Sequence, residues 1–139
     1  LDWQFSYTYH NFKFVDYQKE GNDYSGNELT GVAPNTVVTS LRAETQAGLY
    51  SNLSYNFTDE IPLNDANSVY SNAYHLVQTK VGFKKELYEN IKLDAFFGID
   101  NLLDEKYSLG NDLNAFGDRF YQPAAPRNWF GGMKISVEL

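Results

Sequence analysis

Six long segments of the chain alternate apolar and polar residues, and this pattern constrains the fold more than any other feature. We predict strands at Asp2–Asp16, Thr36–Ala47, Leu49–Thr58, Tyr74–Leu87, Asn90–Asn101 and Asn128–Leu139. Alternation puts successive side chains on opposite faces of a strand. Most of these segments have about 10–14 residues, whereas strands of ordinary globular proteins have about 5–6. We therefore expect an all-β, antiparallel meander of long strands.

The charged residues of these segments collect on one face. In the fifth segment Leu93, Ala95 and Phe97 alternate with Lys92 and Asp94. A charge on the lipid face of a membrane strand costs about 2–4 kcal/mol at the bilayer midplane. An apolar face opposite a charged face is thus the pattern expected of a strand between lipid and a polar lumen.

The connections between the segments alternate in length. Three are long and polar, whereas only Gly48 separates the second and third segments and only Tyr88 and Glu89 separate the fourth and fifth. Outer-membrane barrels have tight periplasmic turns and long extracellular loops. A strand of about 11 residues, tilted by about 45°, also spans the apolar band of such a barrel. Both features favour a transmembrane β-barrel wall.

Composition excludes several classes of protein. No run of about 18 apolar residues is present, so the sequence predicts no transmembrane helix. The net charge of −7 argues against nucleic acid as a partner, because phosphate binding needs clustered lysine and arginine. The chain has no cysteine and two histidines, which disfavours disulfides, thiol chemistry and a histidine-rich metal site.

Two other functional classes stay open at this point. A soluble β-rich module, such as a carbohydrate-binding domain, also has alternating strands and exposed aromatic rings, and aromatics make up 17% of this chain. A small outer-membrane β-barrel enzyme would need a nucleophile constellation, and the sequence contains no convincing one. We therefore predict no enzymatic activity and no cofactor.

The C-terminal part of the sequence resembles that of TonB-dependent outer-membrane receptors. The shared pattern is an Asn-Leu-hydrophobic-Asp-x-x-Tyr stretch, then Tyr-x-Pro with a later Pro-Arg, then a final strand with glycine near its start. The matching residues are Asn101, Leu102, Leu103, Asp104, Tyr107, Tyr121, Pro123, Pro126, Arg127 and either Gly131 or Gly132. The upstream stretches FSYTYHNFKF, YSGNELTGVAP and IPLNDANSVYSNAYHLV are similar to the family as well.

The resemblance implies a role for the whole chain. Residues 1–139 would be the C-terminal fragment of a barrel of about 22 strands, whose other strands and N-terminal plug lie outside this sequence. The implied location is the outer membrane of a Gram-negative bacterium. The implied partners are membrane lipid, a scarce ligand such as a ferric siderophore, and the TonB energy-coupling complex, reached through the plug. An isolated fragment is expected to self-associate through its strand edges.

The longest loop contains the ligand-binding candidates. Receptors of this family bind ligands through aromatic and basic loop residues, which selects Arg119, Phe120 and Tyr121, with Arg127 nearby. Ordinary loop packing is the alternative for the first three. Arg127 could instead anchor the loop where the last strand begins.

Two clusters of Asn and Asp residues have a simpler interpretation than ligand binding. Asn101 and Asp104 follow a strand, where these residues commonly form turns. Asn64, Asp65 and Asn67 have a spacing similar to calcium ligands, but without the glycine and terminal glutamate of an EF-hand loop. We predict turns at both places.

The first segment changes phase within its length. Its apolar positions are odd from Trp3 to Tyr9 and even at Phe12 and Phe14. Either a β-bulge near His10 shifts the phase, or the strand has left the bilayer by that point.

Overall fold

A computed structural model describes residues 1–137, so the predicted strand positions Glu138 and Leu139 lie outside the described residues. The described chain is all-β apart from one 3₁₀ turn at Phe116–Asp118. The strands are β1 (Asp2–Tyr9), β2 (Gln18–Lys19), β3 (Asn22–Asp23), β4 (Asn35–Glu44), β5 (Leu49–Thr58), β6 (Ile61–Pro62), β7 (Tyr70–Ser71), β8 (Tyr74–Tyr88), β9 (Ile91–Asp100) and β10 (Asn128–Val137). No helix within residues 1–137 has the length and apolar character to span a bilayer.

The six long strands form one antiparallel sheet in the order β1-β4-β5-β8-β9-β10. Every long strand pairs with the next long strand along the chain, which confirms the predicted six-stranded meander. The pairing joins odd residues to odd residues across the sheet. One row consists of Trp3, Leu41, Leu53, Thr79, Ile99 and Trp129.

Four of the six predicted strands differ in their bounds from those in the structure, and the first strand differs most. β5 has the predicted bounds, and β4, β8 and β9 differ from prediction by one to three residues at an end. β1 ends at Tyr9 instead of Asp16. The backbone N–H of His10 donates to the carbonyl of Pro34 at 2.8 Å, and the chain then leaves the sheet. The phase change is therefore the end of the strand, and the prediction that it continued to Asp16 was wrong.

The turn between β4 and β5 contains four residues, 45–48, and not Gly48 alone as predicted. The N–H of Gly48 donates to the carbonyl of Thr45 at 3.0 Å. Gly48 has a φ of +90°, and a Cβ there would lie 1.9 Å from the Lys84 carbonyl oxygen. This turn thus requires glycine for both its backbone conformation and its close contact with β8.

The odd-numbered face of the sheet is apolar and uncovered. Large apolar residues on this face are mostly exposed: Trp3 is 69%, Met133 is 68% and Trp129 is 63% exposed. The opposite face contains the polar and charged side chains predicted for it, in a row from Asp2 and Arg42 through Asn52 to Lys80. The predicted division of the strands into an apolar and a polar face is therefore confirmed.

Aromatic rings cover glycines on the polar face. A Cβ at Gly82 would lie 2.3 Å from the Tyr50 ring, and a Cβ at Gly98 would lie 2.2 Å from the Phe130 ring. The ring of Phe96 covers Gly132 in the same way. These pairs join neighbouring strands, because the space left by a missing side chain is filled by a large ring from the next strand.

The buried core of the described chain lies mainly outside the sheet. Leu63 is fully buried, and Ala33 and Phe120 are 8% and 4% exposed; none of these three belongs to a long strand. Tyr50 is a buried apolar residue within the body of the sheet, and Tyr74 is buried at its loop end. The long connections therefore form a packed unit of their own.

Candidate functional site

The three long connections meet at one end of the sheet. We call them the first loop (10–34), the second loop (59–73) and the third loop (101–127), and together the loop cap. The two short turns lie at the opposite end, as the sequence predicted. Two-residue strand pairs, β2 with β3 and β6 with β7, stiffen the first and second loops.

Asp65 of the second loop binds both other loops. Its carboxylate accepts hydrogen bonds from the Thr30 hydroxyl at 2.7 Å, the Tyr17 hydroxyl at 3.1 Å and the Asn114 amide at 3.0 Å. Its backbone carbonyl accepts from the Asn27 amide at 2.8 Å. A single carboxylate thus joins the first and third loops to the second.

These hydrogen bonds determine the protonation state of the Asp65 carboxyl group. Burial alone would raise its pKa, but the bonds from Asn114, Thr30 and Tyr17 favour the ionised form and lower the pKa below its ordinary value. Partial burial raises the pKa of Tyr17, and its bond to the Asp65 carboxylate raises it further. Asp65 is therefore a charged acceptor surrounded by neutral donors.

Further contacts between loops surround this centre. Asn67 binds the backbone of Glu28 with both ends of its amide, at 2.6 and 3.0 Å. The N–H of Asn114 donates to the carbonyl of Leu63 at 2.8 Å, and that of Gly31 donates to Pro62 at 2.8 Å. The loop cap is consequently a single hydrogen-bonded body.

A cleft of about 450 Å³, which we call the loop cleft, lies between the second and third loops. Its lining residues are Ser71, Asn72, Asp104, Glu105, Lys106, Tyr107, Ser108, Tyr121, Pro123, Ala124 and Pro126. The Tyr107 ring packs against the Tyr74 ring in a tilted arrangement, with ring centroids 4.9 Å apart. Tyr74 belongs to the polar face, so the loop cleft adjoins that face at the loop end.

A second cleft of about 350 Å³ involves all three loops. It is lined by Lys19, Glu20, Tyr24, Asn64, Asp65, Ala66, Asn114, Ala115, Asp118 and Phe120. Its lining is mostly polar, and Asp65, which holds the loops together, forms part of its wall. We regard this cleft as part of the cap's framework, because its central polar groups already bind one another.

The structure does not bring the four predicted ligand residues into one site. Phe120 and Tyr121 are neighbours in sequence but line different clefts, with Phe120 4% and Tyr121 53% exposed. Arg119 is exposed at the end of the 3₁₀ turn. Arg127 is exposed, and its backbone N–H donates to the Asp104 carboxylate at 3.1 Å. Of the four, Tyr121 alone lines the loop cleft.

The two Asn- and Asp-containing clusters form turns, as predicted. The Asn101 side chain binds the backbone N–H and carbonyl of Glu105 at 2.8 and 2.9 Å, and it is 4% exposed. The Asn64 side chain accepts from the N–H of Ser68 at 2.9 Å. No group of at least three His, Cys, Asp or Glu side chains is arranged to hold a metal ion within residues 1–137.

Sequence reasoning missed the role of Asp65 and the part that Tyr107 plays in the loop cleft. Asp65 was assigned to a turn, and nothing in its local sequence shows that donors 35 and 49 positions away converge on it. Tyr107 is a position of the family motif and is not among the four predicted ligand residues. Its place in the Asp-x-x-Tyr pattern just after a strand was the available signal.

Comparison with known proteins supports the fold. No protein-family model matches the chain. A crystal structure of the siderophore receptor PiuA from Acinetobacter baumannii is similar, with a TM-score of 0.73 and 17% sequence identity. The similar region covers 96% of this chain and 19% of PiuA, so the chain spans about a fifth of the length of that receptor. At this identity the similarity establishes a shared fold.

Proposed function

We propose that this chain is the C-terminal part of the barrel wall of an outer-membrane receptor that takes up a scarce ligand, a ferric siderophore, in a TonB-coupled process. In this proposal residues 1–139 supply six of about 22 strands, and the plug and the remaining strands belong to the same protein. The observation that supports it most is the uncovered apolar face, which extends across all six strands of a sheet with a receptor-like fold.

The dimensions of the sheet suit a bilayer. β4, β5, β9 and β10 each have 10 residues. At about 3.3 Å per residue and a tilt of about 45°, such a strand rises about 23 Å, close to the apolar band of about 25 Å in membrane barrels. A soluble module would instead leave this apolar surface in water, which monomeric soluble proteins rarely do.

Aromatic residues lie on the apolar face near the loop end. Tyr7, Phe57 and His75 occupy one row across the strands. The Tyr55 hydroxyl lies 2.8 Å from Nδ1 of His75, and the Phe57 ring lies 4.9 Å from the His75 ring. Amphipathic rings at this height match the aromatic girdle at a membrane–water interface, with the loop cap outside the cell.

The test is uptake by the full-length protein in an outer membrane. We expect cells that carry the gene to accumulate radiolabelled iron from a ferric chelate, and we expect a protonophore to abolish accumulation but not binding. Uptake that persists without proton-motive force would exclude energy coupling. Recovery of the protein in the soluble fraction would exclude the receptor role altogether and favour the β-rich binding module.

A further inference from the structure

The loop cap carries most of the net charge of the chain. Its three loops contain eleven of the 18 acidic and five of the 11 basic side chains, a balance of −6 within a total of −7. In the described part of the chain, the ion pair within 4.0 Å joins Arg42 to Glu44, and both belong to β4. No cap carboxylate is thus neutralised by direct contact with lysine or arginine, and the cap repels anions that approach it.

The loop cleft combines this charge with fixed aromatic rings. The Tyr121 hydroxyl donates to the carbonyl of Tyr70 at 2.9 Å, which holds an exposed ring in place. Tyr107 is held by its ring contact with Tyr74. Rings that are ordered before binding offer apolar contact at a low entropic cost. The cleft is therefore suited to a ligand with apolar or flat surfaces.

The charged side chains of the cleft disfavour an anionic ligand. Asp104, Glu105 and Lys106 line the cleft and together carry one net negative charge. The backbone of Glu105 is bound by the Asn101 side chain, whereas its carboxylate takes part in no hydrogen bond of the described structure. That carboxylate is available to repel a negative ligand or to attract a positive one.

We infer that the loop cleft selects a ligand without net negative charge, and that the chelate taken up is of the neutral hydroxamate type. This inference rests on the proposed function. Three hydroxamate groups, each singly negative, cancel the charge of a ferric ion. Three catecholate groups, each doubly negative, leave the complex strongly anionic. The neutral chelate can place its hydrocarbon linkers against Tyr107 and Tyr121 without repulsion by the cap.

The experiment compares two probes on the full-length receptor: the ferric complex of a trihydroxamate and that of a tris-catecholate. Binding is measured through quenching of protein fluorescence at low and high salt. At low salt we expect the trihydroxamate complex to bind more tightly, by on the order of tenfold. Added salt should reduce this preference, because it screens repulsion of the anionic complex and hardly affects the neutral one.

Three variants locate the effect. Glu105→Lys should reduce the preference several-fold, whereas Glu89→Lys, the same charge change in the short turn at the opposite end of the sheet, should leave it unchanged. Tyr121→Ala should weaken binding of the neutral complex. An unaltered pattern of protease cleavage in the loops serves as the control that the cap is still folded in each variant.

The possible outcomes distinguish failure of this inference from failure of the proposed receptor function. Tighter binding of the tris-catecholate complex, or equal effects of Glu105→Lys and Glu89→Lys, would overturn the inference and leave the receptor in place. If Tyr121→Ala leaves the affinity for the trihydroxamate complex unchanged, the loop cleft is not the binding site. Failure of both complexes to bind would refute the ferric-chelate proposal itself.

Discussion

Asp65 is the residue on which the arrangement of the loop cap depends most directly. Asp65→Asn keeps the size of the side chain but removes its charge and one acceptor oxygen. We expect it to destabilise the cap by about 1.5–3 kcal/mol, the range for hydrogen bonds to a buried charged group. The measurement is amide hydrogen exchange, which should become faster in all three loops of the variant and stay unchanged in β5 and β9. Asp16→Asn, at an exposed carboxylate of the first loop, is the matched control.

The same residue gives the loop cap a pH dependence. Its pKa is lowered in the folded state, so its stabilisation is complete above the unfolded value of about 3.9 and is lost as the pH falls through the lower folded value. We therefore expect the difference in loop exchange between wild type and Asp65→Asn to be constant near neutral pH and to shrink below about pH 4. A difference that grows on acidification would contradict the assignment of Asp65 as a charged acceptor.

Tyr50 and Gly82 form a contact that a double-mutant cycle can test. A methyl group at Gly82 would displace the Tyr50 ring and weaken its hydroxyl bond to Asp94, which is 2.7 Å long. We expect Gly82→Ala to destabilise the sheet by about 1–3 kcal/mol, measured by urea unfolding of the full-length protein in micelles. In a Tyr50→Ala background the same change should have a much smaller effect. Equal effects in both backgrounds would mean that the ring does not occupy that space.

Single residues of the cap were the least predictable part of the molecule. Strand residues could be assigned to a face, because alternation is a local property with a period of two. Phe120 and Tyr121 were assigned to one binding group, and their separation into two clefts follows from the path of the loop. That path depends on contacts such as Tyr121 with Tyr70, which are distant in sequence.

At the scale of elements, a charged substitution should be tolerated on the polar face of a strand and not on its apolar face. Leu53 lies on the apolar face of β5, and Asn52 beside it lies on the polar face. If the sheet is a barrel wall, as proposed, Leu53→Lys should destabilise the membrane-inserted protein by about 2–4 kcal/mol, and Asn52→Lys should have little effect. The yield of folded full-length protein in lipid vesicles, followed by its electrophoretic shift on heating, measures both. Equal yields would contradict a lipid-facing side for Leu53.

Whether the sequence predicts a strand depends on the length of that strand. The long strands were found because each contains several repeats of the alternation. The hairpins β2–β3 and β6–β7 were missed, since two-residue strands show no period. The phase change after Tyr9 is visible in the sequence, but only the position of Pro34, whose carbonyl accepts from the His10 N–H, shows that the strand ends there.

At the scale of the whole molecule, the two outer strands of the sheet are the places where a neighbouring strand could pair. β1 and β10 are the two edges of the six-stranded sheet, and their outer sides have no partner strand within residues 1–137. We predict that the coding region upstream of Leu1 encodes further alternating strands and a plug domain. Sequencing that region tests this prediction. A start codon with a signal peptide directly before Leu1 would refute it and favour a self-associating or soluble β-module.

The central claim, that the sheet is a barrel wall between lipid and lumen, is tested most directly by spin labels on β5. This chain contains no cysteine. Single cysteines can be placed in turn at positions 51–57 of the full-length protein in lipid, after any cysteine elsewhere in that protein has been replaced. We predict that collisions with dissolved oxygen peak at the odd positions and collisions with a polar nickel chelate peak at the even ones. Equal access of the nickel chelate to both faces would contradict the account, because the apolar face would then lie in water.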